Sequence, residues 1–97
     1  MKYNKEILDR FLNEKVAIAL RTEEEWDEFM GLLEEETDVK WQTGENPTEY
    51  NKWDKYGGDS AIACSDLQKT KLRFSSTGHY RGDYEIIEFK ELVKENV

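Results

Sequence analysis

Val16-Ala17-Ile18-Ala19-Leu20, followed at once by Arg21-Thr22-Glu23-Glu24-Glu25-Trp26-Asp27-Glu28-Phe29-Met30-Gly31-Leu32-Leu33, is the stretch that decides the fold. Its first five residues are apolar, bounded by charges, and alternate large with small side chains. That pattern suits a central strand covered on both faces, with the alanines beneath a close neighbour. The period then changes. Thr22 and Glu25 have capping-box spacing, in which the threonine hydroxyl accepts from the amide three residues on and the Glu25 carboxylate bonds back. At 100° per residue, Trp26, Phe29, Met30 and Leu33 gather within about 100°, and Glu24, Asp27, Glu28, Glu34 and Glu35 take the opposite side. Sixteen residues at about 1.5 Å each would make a rod of roughly 24 Å with an apolar stripe and an acid stripe.

Before this stretch, Ile7, Leu8, Phe11 and Leu12 fall at i, i+1, i+4 and i+5, which predicts a short helix over 3–13. After it, 39–43 reads as a short strand and 44–58 as a long aromatic-rich loop with room for one helical turn at 47–53, broken by Gly57-Gly58. Residues 60–65 and 71–75 read as two strands joined through 66–70, and 84–89 as a last strand before a few helical or frayed residues over 90–97. The expectation is an α+β fold. A small antiparallel or mixed sheet of four to five strands carries the amphipathic acidic helix across one face, beside the short N-terminal helix.

The chain has 97 residues, of which 37% are hydrophobic and 37% charged, enough for a single domain over 1–97. Leu, Ile, Val and Phe number 21, close to the composition at which charged chains stay disordered, and twelve aromatic residues supply the missing apolar surface. No apolar run approaches the roughly 18–20 residues needed to span a bilayer, and no basic-apolar leader opens the sequence. Cys64 has no disulfide partner and His79 is the single histidine, so a zinc-type ligand set is not expected. Asn46-Pro47-Thr48 is a glycosylation triplet blocked by its proline, and Arg81-Gly82-Asp83 reads as a turn before a strand. The expected setting is a reducing cytoplasm, with no cofactor, no metal and no membrane partner.

The net charge of −8 comes from one segment. Residues 1–21 carry +2, residues 22–38 carry −9 with no basic group, and residues 39–97 carry −1. A field so concentrated steers encounters with positively charged partners and repels nucleic acid. The helix bears costs for it. Glu24 and Glu28 are like charges one turn apart, unfavourable by roughly 0.2–0.5 kcal/mol. Glu34, Glu35 and Glu36 crowd a helix end where the macrodipole favours cations. Gly31, on the acid side, weakens the helix but would let another surface come close to the backbone.

Clustered carboxylates on an exposed helix make a poor acid-base site, and no phosphate loop, nucleophile elbow or complete Ser-His-acid set is present, so the residues predict a non-enzyme. Two binding readings compete. In the first, Glu24, Asp27, Glu28, Glu34 and Glu35 meet a partner's basic groove. In the second, Trp41, Trp53, Tyr56, His79 and Arg81, with lysines interleaved, hold a small ligand such as a nucleotide signal. The bland alternative for these rings is that they anchor the loop onto the sheet.

Thr22-Glu23-Glu24-Glu25-Trp26-Asp27-Glu28-Phe29, then Lys40-Trp41 before a glycine turn, Asn51-Lys52-Trp53-Asp54-Lys55-Tyr56, and Gly82-Asp83-Tyr84-Glu85-Ile86-Ile87-Glu88-Phe89 resemble, in order and spacing, small proteins from phages and prophages of Gram-positive bacteria. The resemblance covers about residues 15–92. Asp83-Tyr84 departs from the Gly-Tyr of that group, and the second helix is more acidic than is usual there. The resemblance implies a protein acting inside a bacterial host by occupying a host surface. The expected partner is a host defence or nucleic-acid-handling protein with a basic groove, inhibited in the manner of anti-CRISPR proteins and other DNA mimics. The oligomeric state stays open.

Overall fold

The computed structural model describes residues 3–64 and 71–93. The expected strand end at Ser65, the 66–70 connection and the chain end from 94 lie outside these residues. The elements are α1 (Lys5–Asn13), β1 (Val16–Leu20), α2 (Glu23–Glu36), β2 (Lys40–Trp41), a 3-10 turn (Pro47–Glu49), α3 (Trp53–Tyr56), a second 3-10 turn (Gly57–Asp59), β3 (Ser60–Cys64), β4 (Lys71–Ser76), α4 (Thr77–Tyr80), β5 (Glu85–Glu88) and α5 (Phe89–Leu92). The five strands form one mixed sheet in the order β2-β4-β3-β1-β5. The β1/β3 and β3/β4 pairs are antiparallel, whereas β5 joins β1 and β2 joins β4 in parallel. The α+β architecture is therefore as the sequence indicates, with parallel edges on an antiparallel centre.

The alternation of large and small residues in β1 explains the two layers. Val16, Ile18 and Leu20 point to one face with Ile62, Cys64 and Leu72, under Trp26, Phe29, Met30 and Leu33 of α2 and Leu8 and Phe11 of α1. Ala17 pairs with Ala63 and Ala19 with Ala61 on the other face. These alanines leave room for Tyr80 and Tyr84, whose rings lie 5.0 Å apart above Ala17, Ala61 and Ala63. All five β1 residues are buried, as a strand covered on both faces requires.

Helix α2 begins at the predicted cap, with Thr22 Oγ1 accepting from the Glu25 amide at 3.1 Å. The return bond differs from the expectation. Glu25 Oε1 accepts from the amide of Arg21, one residue earlier, at 2.7 Å, which ties the strand end to the first turn of the helix. The helix has fourteen residues, about 21 Å, two fewer than expected. Leu32 is buried as well, so the apolar stripe is wider than the four residues the periodicity picked out.

Arg21 then joins distant parts of the chain. Its Nε and Nη2 donate to the two Glu88 oxygens at 2.9 and 2.7 Å, and its Nη1 donates to the Gly58 carbonyl at 3.0 Å. The guanidinium holds the Glu88 carboxyl below its ordinary 4.5 against the opposing effect of desolvation. A depressed carboxyl stabilises the fold above the unfolded-state pKa and stops doing so as pH falls through the folded value. Glu88→Gln is expected to lower stability at pH 7 by no more than about 1 kcal/mol, since both side chains are some 40% exposed and solvent screens them. In thermal melts the difference from wild type should close as pH drops below the carboxylate range.

Gly31 offers a cleaner gain. A Cβ built there meets nothing within 4 Å, and its φ lies outside the positive region. Gly31→Ala should stabilise the protein by about 0.5–1 kcal/mol, read as a higher melting temperature.

Candidate functional site: the acid face of α2

Glu24, Asp27, Glu28, Glu34 and Glu35 are all exposed. The structure divides them into two rows that the helical wheel alone did not distinguish. The loop after β2 runs back along one flank of α2, held first by its aromatic rings. Trp26 stacks on Trp41 with centroids 6.0 Å apart and planes 15° from parallel, and Phe74 meets both rings edge-on. The Trp26 indole N–H donates to the Tyr50 carbonyl at 3.1 Å, and the Trp41 indole N–H to the Pro47 carbonyl at 3.2 Å. Trp41 is thus a core residue, with both its ring and its donor used internally.

The flanking row of carboxylates completes this strap. Glu34 Oε1 accepts from the Thr48 amide at 3.2 Å and from the Thr48 hydroxyl at 2.6 Å, which holds its carboxyl below the ordinary range. The side-chain amide of Asn51 donates to both Glu23 and Asp27, at 3.1 and 3.3 Å, bridging two like charges one turn apart. All three donors are neutral. The strap therefore orders these carboxylates without cancelling their charge.

Glu24, Glu28 and Glu35 form the outward row, with Gly31 between the last two in sequence. Among the described residues none of the three is in an ion pair or hydrogen bond. Arg10 is engaged with Glu14 and Glu85, and Arg21 with Glu88. Lys40 acts on Glu34 at longer range but donates to Asn46. Helix geometry sets Glu24 and Glu28 about 6 Å apart along the axis and Glu28 and Glu35 about 10 Å. No basic residue lies in the last turn of α2.

No direct contact among the described residues joins all five residues of the small-ligand reading. Trp41 is buried and Tyr56 is half-buried, each with its ring about 6 Å from Phe74. Trp53 packs at the edge of the core, its indole N–H enclosed with no acceptor among the described residues. His79 is exposed on α4, its Nε2 3.4 Å from Arg73 Nη2. Arg81 is exposed just beyond α4, and no hydrogen bond, ion pair or ring contact among the described residues joins it or Trp53 to the other three.

Sequence reasoning passed over a cavity of about 220 Å³ beside β2, lined by Trp41, Gln42, Thr43, Tyr50, Leu72, Arg73 and Phe74. Neither Gln42 nor Thr43 carries a signal of its own. Only the pairing of β2 with β4 brings them beside Arg73. Among the described residues no group of three or more His, Cys, Asp or Glu is placed to hold a metal, and no helix is long and apolar enough to cross a membrane. No family model, no curated protein and no solved structure matches this chain.

Proposed function

We propose that this chain is an acidic docking protein that blocks another protein's basic, nucleic-acid-binding groove with the outward side of α2. The observation that carries this reading is the row Glu24, Glu28 and Glu35, exposed and without a cation among the described residues, while Arg10 and Arg21 pair with carboxylates elsewhere. A groove that binds nucleic acid bears Lys and Arg arranged to neutralise phosphates, and a rigid rod of carboxylates competes for the same groups. The neutral strap of Thr48 and Asn51 adds rigidity at the flank, which lowers the ordering cost of binding.

The resemblance to phage and prophage proteins suggests the target class: a bacterial host's defence or nucleic-acid-handling protein, met in the host cytoplasm. Immobilised protein incubated with bacterial lysate should retain basic nucleic-acid-binding proteins at about 50 mM salt and release them by about 500 mM, where the Debye length has fallen to a few ångströms. A retained set that is acidic, or indifferent to salt, would sink this reading. The small-ligand alternative gathers less support, because the Trp41 and Tyr56 rings pack on Phe74 and no direct contact among the described residues gathers all five. Tryptophan fluorescence unchanged by a panel of nucleotides is the expected result.

A further inference from the structure

The opposite end of the sheet has its own chemistry. Strand β4 has six residues, and on its inner side Leu72–Ser76 pair with β3. On its outer side β2 covers only Lys71 and Leu72. The chain then leaves the sheet through a tight turn, in which the Gly44 amide donates to the Trp41 carbonyl at 2.8 Å and Gly44 takes a φ of +98°. Arg73 to Ser76 are left as a sheet edge, and no backbone hydrogen bond from another described element reaches them on that side. Four residues give about 13 Å of open ladder. The 220 Å³ cavity adjoins it, walled by Trp41, Tyr50, Leu72 and Phe74.

The rim of this cavity is basic. Lys52 Nζ lies 4.8 Å from the Tyr50 ring and Lys55 Nζ 5.9 Å from the Phe74 ring, and Arg73, its guanidinium 5.6 Å from the Tyr80 ring, lines the cavity at the strand edge. None of these cations is in an ion pair among the described residues, and the nearby Glu45 carboxylate accepts from Thr43. We propose that the Arg73–Ser76 edge and the adjoining cavity form a docking groove for an extended acidic peptide segment, which adds a strand to β4 and inserts one aromatic side chain between Tyr50 and Phe74.

Charge complementarity selects this occupant. A second copy adding its own β4 would bring a second Lys71 and Arg73 to the same edge and no carboxylate, since β4 contains none. A nucleic acid offers no strand to continue the ladder left open at Arg73–Ser76. A strand with a central aromatic and flanking carboxylates satisfies the open ladder, the cavity and the rim together. This groove is separate from the acid row of α2 and does not depend on the function proposed for it.

The test uses fluorescein-labelled octapeptides of β-branched residues with phenylalanine or alanine at the centre and glutamate, serine or lysine at the flanks, followed by fluorescence anisotropy. The glutamate-flanked phenylalanine peptide should bind at least about tenfold more tightly than its serine counterpart, and the lysine-flanked one should not bind. Methylating one alternate set of its amide nitrogens should weaken it about tenfold, and methylating the other set should not, because only one set faces β4. Arg73→Glu should weaken binding by a similar factor with an unchanged melting temperature, while Glu28→Lys/Glu35→Lys should leave peptide binding intact. Absence of binding by every peptide up to about 1 mM would overturn the proposal, leaving the cations as guards against edge pairing. Indifference to flank charge or to amide methylation, or binding of oligo-thymidine in the peptide's place, would overturn it as well.

Discussion

Trp26→Ala is expected to destabilise the protein by about 3–5 kcal/mol, the range for removing a buried tryptophan from a packed core. For a domain of this size, whose whole stability is about 5–15 kcal/mol, that loss is a third or more of the total. The melting temperature should fall by about 15–30 °C in circular dichroism. The reason lies in three roles of one residue. Trp26 has 0% exposure, stacks on Trp41, meets Phe74 edge-on and donates its indole N–H to the Tyr50 carbonyl. The alanine variant leaves a cavity between α2 and the sheet and releases the strap that orders the flanking carboxylates. Trp26→Phe should separate these contributions, retaining much of the ring but leaving the Tyr50 carbonyl without its donor, for a loss of about 1–3 kcal/mol. A melting temperature within a few degrees of wild type for Trp26→Ala would contradict the packing described.

Glu28→Lys/Glu35→Lys is expected to abolish binding to the basic partner while making the protein more stable. Each reversal changes the charge by two units, taking the net value from −8 to −4 for the pair. The lysine introduced by Glu28→Lys would follow Glu24 by one turn in the favourable acid-before-base orientation, replacing a repulsion of roughly 0.2–0.5 kcal/mol with a similar attraction. Glu35→Lys would supply the cation missing from the last turn, worth about 0.3–1 kcal/mol against the macrodipole. The expected net gain is about 1 kcal/mol, seen as a rise in melting temperature of several degrees. A surface solvated only for solubility would gain the same stability and lose no partner, so loss of binding is the discriminating result.

Much of the central architecture could be read from local chemistry. The threonine cap, the strand before it and the apolar stripe after it are patterns within a few residues of one another, and the structure places α1, β1 and α2 on them. The alanines of β1 also signalled a close neighbour, though not that it would be Tyr80 at the end of α4 and Tyr84 just before β5. What escaped the sequence depended on long-range pairing. Two residues of β2 show no periodicity, so their parallel alignment with β4, and the cavity it creates, had no local trace.

The acid stripe shows the same limit within a single helix. A helical wheel assigns Glu34 and Asp27 to the side of Glu24 and Glu28, because it knows nothing of a loop fourteen or twenty-four residues further on. Thr48 and Asn51, ordinary loop residues by composition, turn those two carboxylates into anchors. Trp41 was ambiguous for a related reason. Its spacing in an aromatic-rich loop fits a ligand platform or a core anchor equally well, and only its stack on Trp26 distinguishes them.

Competition by nucleic acid tests the central claim most directly. Immobilised wild-type protein and the Glu28→Lys/Glu35→Lys variant would be loaded with the same bacterial lysate at low salt and washed with a short duplex DNA. If the outward carboxylates occupy phosphate-binding sites, DNA should release a set of proteins from the wild-type matrix that the variant never retains. Capture of the same set by both matrices, or a wild-type set that DNA does not release, would contradict it.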